Sequence, residues 1–450
     1  MFTLSLAKSL PCAYTAACYN QAMRLIADLH VHSRFSRAVS KDMTLPVMHR
    51  WTDYKGIGLV GTGDFTHPTW FAELRDQLVQ TDGGFLELKK LLRDPATQTN
   101  PLFVPTTELS CIYSEQDKTR RIHIVVVAPS LQAVDKINKN LDKEFNLRSD
   151  GRPILGCTAH DLTARLLSIE PNLLIIPAHI WTPWFALFGS ASGYDSADDC
   201  FRELIKHIPA IETGLSSNPT MNWQWSHLDR FNIVSFGDAH SPRKFGREGT
   251  VFELERPGYK ELLAALWNNP VTGTGKSPNH IVETLEFFPE EGKYHLDGHA
   301  KCKQRLTPAQ SKKAGGLCPV CKKPLTIGVL NRVEKLADRP EGFIDSKRPP
   351  FRTLIPLEET IGEAMDVGPA SKKVQAVYMT LVKKFAGEFN VLLETPIKDI
   401  AAVAGETVAD AIQRVRNGKV HIDAGYDGIF GTVKIFSAAD RKKQEQAALF

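Results

Sequence analysis

Short, β-branched apolar runs recur along the first part of the chain. They are RLIADL (24–29), GIGLVGT (56–62), PLFVPTT (101–107), RIHIVVVA (121–128), NLLIIPA (172–178), IPAIET (208–213), NIVSFGD (232–238) and GTVFEL (249–254). Between most of them lie stretches with helical spacing of apolar residues, at 69–80, 131–145, 159–169 and 196–207. Strands alternating with helices predict βα units and a largely parallel sheet. Seven or eight such strands in about 250 residues predict a barrel of the β/α kind.

The pattern changes after residue 290. YHLDGHAKCKQRLTPAQSKKAGGLCPVCKKPL is short of apolar residues and rich in Lys, and DSKRPPF (345–351) reads as a stiff connection. Helical periodicity resumes from Ser371 to about Glu388, then in IKDIAAVA and TVADAIQRVRNG. KVHIDAGYDGIFGTVKIF predicts two strands about a Gly-rich turn. Residues 1–22 are expected to be a disordered extension, and the final RKKQEQAALF a frayed tail.

Charge and cysteine usage sharpen the second half. The net charge is only +4. Yet residues 301–350 hold twelve Lys or Arg against four Asp or Glu, so the rest of the chain is net acidic. A basic segment beside an acidic body points to a polyanion partner. Of the eight cysteines, Cys12, Cys18, Cys111, Cys157 and Cys200 are scattered, whereas Cys302, Cys318 and Cys321 cluster. That usage fits a reducing compartment and a thiolate metal site rather than a disulfide framework. His299-x2-Cys302 followed by Cys318-x2-Cys321 has the spacing of a structural Zn2+ site, with His295 as a weaker substitute for His299. Lys301, Lys303, Arg305, Lys312, Lys313, Lys322 and Lys323 around it would form a phosphate-facing surface. No apolar run is long enough to span a bilayer, so no membrane partner is expected.

Candidate ligands sit at the strand ends. The first strand runs into Asp28-x-His30-x-His32, and an isolated H-x-H decides nothing by itself, since side chains two apart merely share a face. The second supplies Asp64 and His67, the third Glu108, the fifth His179, the sixth Glu212 and then Asn218, the seventh Asp238 and His240. His123 lies near the start of its strand, but a hairpin turning near 115–118 would set it opposite Leu109 or Glu108. In a β/α barrel these ends share one mouth. His30, His32, Asp64, Glu108, His123, His179, Asp238 and His240 are more ligands than one ion takes, which predicts two or three divalent ions (Zn2+, Mn2+ or Mg2+) with Glu108 bridging. Such a cluster activates water and clamps phosphate oxygens. Phosphoester hydrolysis is therefore the first reaction class, with Glu108, Asp238 and His240 as candidate catalytic residues. Amide or deaminase-type hydrolysis is the second.

The order H-x-H, acidic group, E, H, H, D-x-H resembles the PHP domain of metal-dependent phosphoesterases over about 23–290. The resemblance implies a distorted seven-stranded barrel. It departs from the family pattern at Arg37, which stands where a ligand Asp is usual; Asp42 is the nearest replacement. The second motif carries Asp64 where His is usual.

GTGDFTHP, TTELS, IETGLSSNP, GDAHSP and DGHAKC…CPVCKKPLTIGVLNRVEKLADRP together resemble the endonuclease Q group after Met23. That resemblance implies an α/β chain divided into a PHP barrel (23–290), a basic zinc module (291–345) and a mainly helical DNA-binding region (346–450). It implies a cytoplasmic, nucleoid-associated DNA repair endonuclease. Its substrate would be double-stranded DNA, cut on the 5′ side of uracil, hypoxanthine, xanthine or an abasic site. Sliding-clamp and other repair partners stay unassigned. A flipped base would need pocket walls, for which Trp70, Trp181, Trp184 and the SSNP loop (216–219) are candidates. Arg34, Arg37, Lys41, Lys347, Arg348, Lys372 and Lys373 are candidate DNA phosphate contacts. The alternative is a PHP-type phosphatase acting on a small phosphomonoester, which would not need the basic module. A non-catalytic nucleic-acid-binding protein is disfavoured by the near-complete ligand set.

Overall fold

A computed structural model of the chain describes residues 22–115, 117–273 and 277–441. All of the expected N-terminal extension but Ala22, and all of the C-terminal tail but Arg441, lie outside the described residues.

The strands form where the β-branched runs predict them. Met23–Asp28 pairs in parallel with Leu59–Gly61, which pairs in parallel with Leu102–Val104. On its other side Met23–Asp28 pairs antiparallel with Gly249–Leu254, so the sheet is mixed rather than parallel throughout. Thr106–Glu115 and Lys118–Val127 make the long hairpin, and Leu174–Pro177 joins it antiparallel. Ala210–Glu212 and Asn232–Val234 pair in parallel as a small separate sheet.

The expected closed barrel is not formed by continuous pairing. Three sheets meet through a few backbone bonds instead: Ile180 N–H to the Glu212 carbonyl at 3.1 Å, and His32 N–H to the Ala239 carbonyl at 3.0 Å with Ala239 N–H to the His30 carbonyl at 3.2 Å. Leu174–Pro177, Ala210–Glu212 and Asn232–Val234 at these seams are three or four residues long, too short to extend a ladder. One face of each strand still reaches a common interior. Leu25, Leu59, Val104, Val125, Ile176 and Val234 belong to one buried cluster, closed by Tyr259 and Leu262 of the helix Tyr259–Trp267.

The helices match their sequence patterns, with caps at their starts. Ala159–Ile169 begins at Thr158, whose hydroxyl accepts from Asp161 N–H. The 196–207 stretch is split: Ala197–Phe201 is α-helical and Arg202–His207 is 3-10, with Arg202 at φ 51° breaking the helix.

The Cys-rich segment is a small unit. Asp297–His299 pairs antiparallel with Gln304–Leu306. Its own apolar core is Leu306, Cys318 and Leu325, too little to hold a fold unaided. The C-terminal helices are Leu357–Ala364, Lys372–Lys384, Glu388–Leu393, Ile397–Ala404 and Glu406–Arg416, and Lys372–Lys384 and Glu388–Leu393 pack against the helix Leu45–Lys55. Lys55 and Glu388, both buried, pair across that contact at 2.6 Å. No helix among the described residues is long and apolar enough to cross a membrane.

Candidate active site

Backbone conformation at the strand ends turns polar side chains toward one place. Asp64, His179 and Asp238 all have positive φ (47°, 30° and 44°), a strained state for non-glycine residues that concentrates at functional sites.

Two ligand groups result, sharing Glu108. His30, His32, Glu108 and Asp238 present donor atoms within 4.8 Å of one another, and so do Glu108, His123 and His179. Glu108 gives one oxygen to each. Its Oε2 lies 3.6 Å from His30 Nε2 and 3.3 Å from His32 Nε2, while its Oε1 lies 2.5 Å from His123 Nδ1 and 3.1 Å from His179 Nε2. The hairpin register explains His123. It pairs with Ser110, one residue beyond the expected position, so Glu108 becomes its diagonal neighbour on the same face.

Each Nε2 donor is held from behind by a partner on the far side of its ring. His30 Nδ1 is 3.0 Å from Glu212, His32 Nδ1 is 3.0 Å from Asp64, and His179 Nδ1 is 3.3 Å from Thr182 Oγ1. This is the support that fixes a metal-ligating imidazole. His30 Nε2 is buried without a hydrogen-bond partner, a cost that a bound cation would remove. The donor chemistry therefore fits divalent metals at both groups.

The electrostatics agree. Burial would raise Glu108, but the charges of His123, Arg152 and His30 hold it well below the usual carboxylate range. Burial opposes ionisation of Asp238 too, and His30 and His32 overcome it. Burial also opposes charge on His30 and His32, yet the surrounding carboxylates raise both well above 6.5. Protons and divalent cations would therefore compete for the same imidazole nitrogens at these groups.

Several expected residues stand elsewhere. Asp64 lies outside both ligand groups, among hydrogen-bond donors. Its Oδ2 accepts from Ser33 N–H at 2.6 Å, Ser33 Oγ at 2.7 Å and Ser36 Oγ at 2.8 Å, and its Oδ1 faces His32. His240 is outside both ligand groups; its Nδ1 donates to the Asp238 carbonyl at 2.8 Å, and its ring centroid lies 4.7 Å from that of His32. Asp42 is exposed and does not replace the absent acid. Arg152 lies outside the strand-end pattern. Its Nη1 donates to Glu108 Oε2 at 2.9 Å, from a loop whose Gly151 packs so closely on Asp64 and Ser36 that a Cβ would collide. Nothing in DGRP marks it as a site residue, because only the fold brings 150–152 against the first strand's extension.

Beside the ligand groups opens a cavity of about 750 Å3, lined by His123, Arg152, His179, Trp184, Phe185 and Tyr294, among others. Leu215 and Ser216 line it, and of the three tryptophans considered only Trp184 does. Trp70 and Trp181 are fully buried, their indoles bonded to Gly63 O and Asn222 Oδ1, and serve packing.

The phosphate-contact candidates divide similarly. Arg37 is exposed and lines the cavity. Arg34 pairs with Glu73 at 2.6 Å, and Lys41 is exposed beside it, 3.3 Å from the Arg34 carbonyl. Lys372 and Lys373 are exposed at the start of their helix. Arg348 is no DNA contact: it is buried, bonded to Phe231 O, Leu228 O and Asp229. Lys347 neighbours Asn232, at the end of its strand opposite Asp238.

At the Cys-rich unit, His299, Cys302, Cys318 and Cys321 come within 4.8 Å, with His299 Nδ1 3.6 Å from Cys321 Sγ. Each half ends in a Lys in left-handed conformation, Lys303 after Cys302 and Lys322 after Cys321. His295 is buried apart from this group and lines the cavity instead.

An α/β fold carrying two buried His–carboxylate groups that share a glutamate defines a metal-dependent hydrolase. The lesion-specific endonuclease PfuEndoQ from Pyrococcus furiosus matches it with TM-score 0.79 and 30% identity over 94% of this chain and 99% of that one. The chain belongs to the endonuclease Q family. A second endonuclease Q structure, in complex with a 27-mer duplex substrate with an abasic lesion at the active site, matches with TM-score 0.78 and 32% identity over 93% of this chain and 98% of its own. Residues 356–419 match the family model of the MJ0043 C-terminal domain. The uncharacterized protein MJ0043 of Methanocaldococcus jannaschii is 32% identical over 262 residues, 56% of this chain, and the match spans only 31% of that longer protein.

Proposed function

We propose that this protein is a DNA repair endonuclease. It hydrolyses the phosphodiester on the 5′ side of a deaminated base (uracil, hypoxanthine or xanthine) or an abasic site in duplex DNA. The observation that carries this reading is the placement of Glu108: it joins both ligand groups at the edge of a large, aromatic-lined cavity. A phosphate at the groups and an extruded nucleotide in the cavity can then belong to one bound strand.

We read the three abutting sheets as a PHP-type barrel opened at its seams, spanning 23–290, followed by the zinc module (291–345) and the helical region (346–450). His30, His32, Glu108 and Asp238 would hold one divalent ion, and Glu108, His123 and His179 a second, drawn from Zn2+, Mn2+ or Mg2+. His299, Cys302, Cys318 and Cys321 would hold a structural Zn2+. Bound ions supply water activation and neutralise phosphate charge.

The chain's own residues do the rest. Asp64 and Glu212 orient the His32 and His30 rings. Arg37 and Arg152, both lining the cavity, offer guanidinium contacts to phosphate. His240 is held by its Nδ1–H donation to the Asp238 carbonyl, and burial lowers its pKa, so at neutral pH its Nε2 is unprotonated and can accept a proton from the reacting water. The exposed lysines of the zinc module, such as Lys301, Lys312 and Lys322, extend a positive surface for the duplex.

The test is a labelled duplex with one uracil, incubated with Mg2+, Mn2+ or Zn2+. Wild type should nick 5′ to the uracil; Asp238→Asn should bind the duplex equally and not cut. Phosphate release from a small ester without any nick would instead establish the phosphatase.

A further inference from the structure

The hairpin at the end of the described chain is built as a rigid mount for one exposed aromatic. Tyr426 and Ile429 exchange backbone bonds at 3.0 and 2.8 Å around Asp427 (φ 41°) and Gly428 (φ 87°), a tight Asp-Gly turn with both central residues left-handed. The turn is fastened on two sides. The Asp427 carboxylate accepts from Ala300 N–H at 2.6 Å and Thr326 Oγ1 at 2.5 Å, both in the zinc module. Gly425 N–H and Gly431 N–H donate to the carbonyls of Glu290 and Glu291 at 2.8 and 3.0 Å, and a Cβ at Gly431 would run into Glu290 O.

So much fastening ends in an apolar tip. Phe430 is 70% exposed and Ile429 is 42% exposed. Single exposed apolar residues are ordinary, but Phe430 is not alone. Trp184 and Ile154, also exposed, line the same cavity from two other parts of the chain. Lys293, whose Nζ lies 5.7 Å from the Phe430 ring centre, adds a cation for a phosphate beside that apolar rim.

We propose that Phe430 is a wedge. It enters the base stack at the lesion and occupies the space left when the nucleotide turns into the cavity. The proposal rests on the endonuclease reading and adds the means by which the duplex is opened. A rigid mount suits the task, because a mobile side chain would yield to the stack instead of parting it. Exposure places Phe430 at the rim, so its partner is the duplex and not the extruded base.

The experiment compares Phe430→Ala with wild type on two substrates, a fully paired duplex with one lesion and the same lesion inside an unpaired bubble. The variant should lose roughly 10- to 100-fold in cutting the paired duplex, the range expected for one lost stacking contact, and stay near wild type on the bubble. Phe430→Leu should recover part of the loss. A fluorescent purine analogue next to the lesion should brighten when wild type binds and stay dim with Phe430→Ala. Equal losses on both substrates, or none on the paired one, would overturn the wedge. A wild-type protein that cuts neither substrate would refute the endonuclease reading, while the fluorescence arm still decides the wedge.

Discussion

Nδ1 of His30 lies 3.0 Å from both carboxylate oxygens of Glu212. The same carboxylate accepts the backbone N–H of His179 at 2.8 Å, so one buried acid positions a member of each ligand group.

Replacing Glu212 with Gln should therefore weaken metal binding without removing a ligand. A drop of about 10- to 100-fold in affinity is expected from the loss of such a partner. Competition with a chromophoric chelator measures it, and excess metal should restore activity. Unchanged affinity would mean that His30 is held by packing alone.

Cys318→Ser should release zinc from the Cys-rich unit and unfold it locally, since only Leu306, Cys318 and Leu325 form its core. Elemental analysis should show the loss of one zinc per chain. Proteolysis should begin cutting between 295 and 337 while the first domain resists. Wild-type zinc content in the variant would disprove the ligand set.

The contact between the helices Leu45–Lys55 and Glu388–Leu393 rests on a buried ion pair. Glu388 accepts from Lys55 Nζ at 2.6 Å, Tyr378 Oη at 2.9 Å and Leu357 N–H at 2.9 Å. Glu388→Ala leaves Lys55 buried and unpaired and should cost about 3–5 kcal/mol in chemical denaturation. The double change Lys55→Met with Glu388→Leu should recover most of it. A single variant as stable as wild type would show that the contact admits water.

His295 makes stability depend on pH in a stated direction. Burial lowers its pKa from 6.5 to about 4. The unfolded chain takes up that proton below about 6.5 and the native protein only near 4, so stability should fall as pH drops through that window. Denaturation at pH 7 and pH 5 should show a smaller fall in His295→Phe than in wild type. The difference between the two isolates the contribution of His295 from that of every other titrating group; equal falls would refute the assignment.

The strands and the helix 159–169 were legible because local patterns and caps decide them, as Thr158 does for Ala159–Ile169. The residue types that cluster at the candidate site were legible too: a His or carboxylate at strand end after strand end is a one-dimensional signal. The same signal could not separate ligand from support. Asp64 and Glu108 look alike in sequence, and only the packing of Ser33 and Ser36 against Asp64 consumes its oxygens.

Arg348 teaches the converse. Its basic neighbourhood suggests phosphate, but burial between 228 and 231 turns it into a strut.

By itself, then, the sequence determined the order of elements, the acid–histidine chemistry and the zinc spacing, all of which depend on residues close along the chain. Tertiary structure alone decided the shared role of Glu108, the entry of Arg152 and the meeting of Trp184, Tyr294 and Phe430 around one cavity. These join segments tens to hundreds of residues apart, and no local preference encodes the packing that sets such distances.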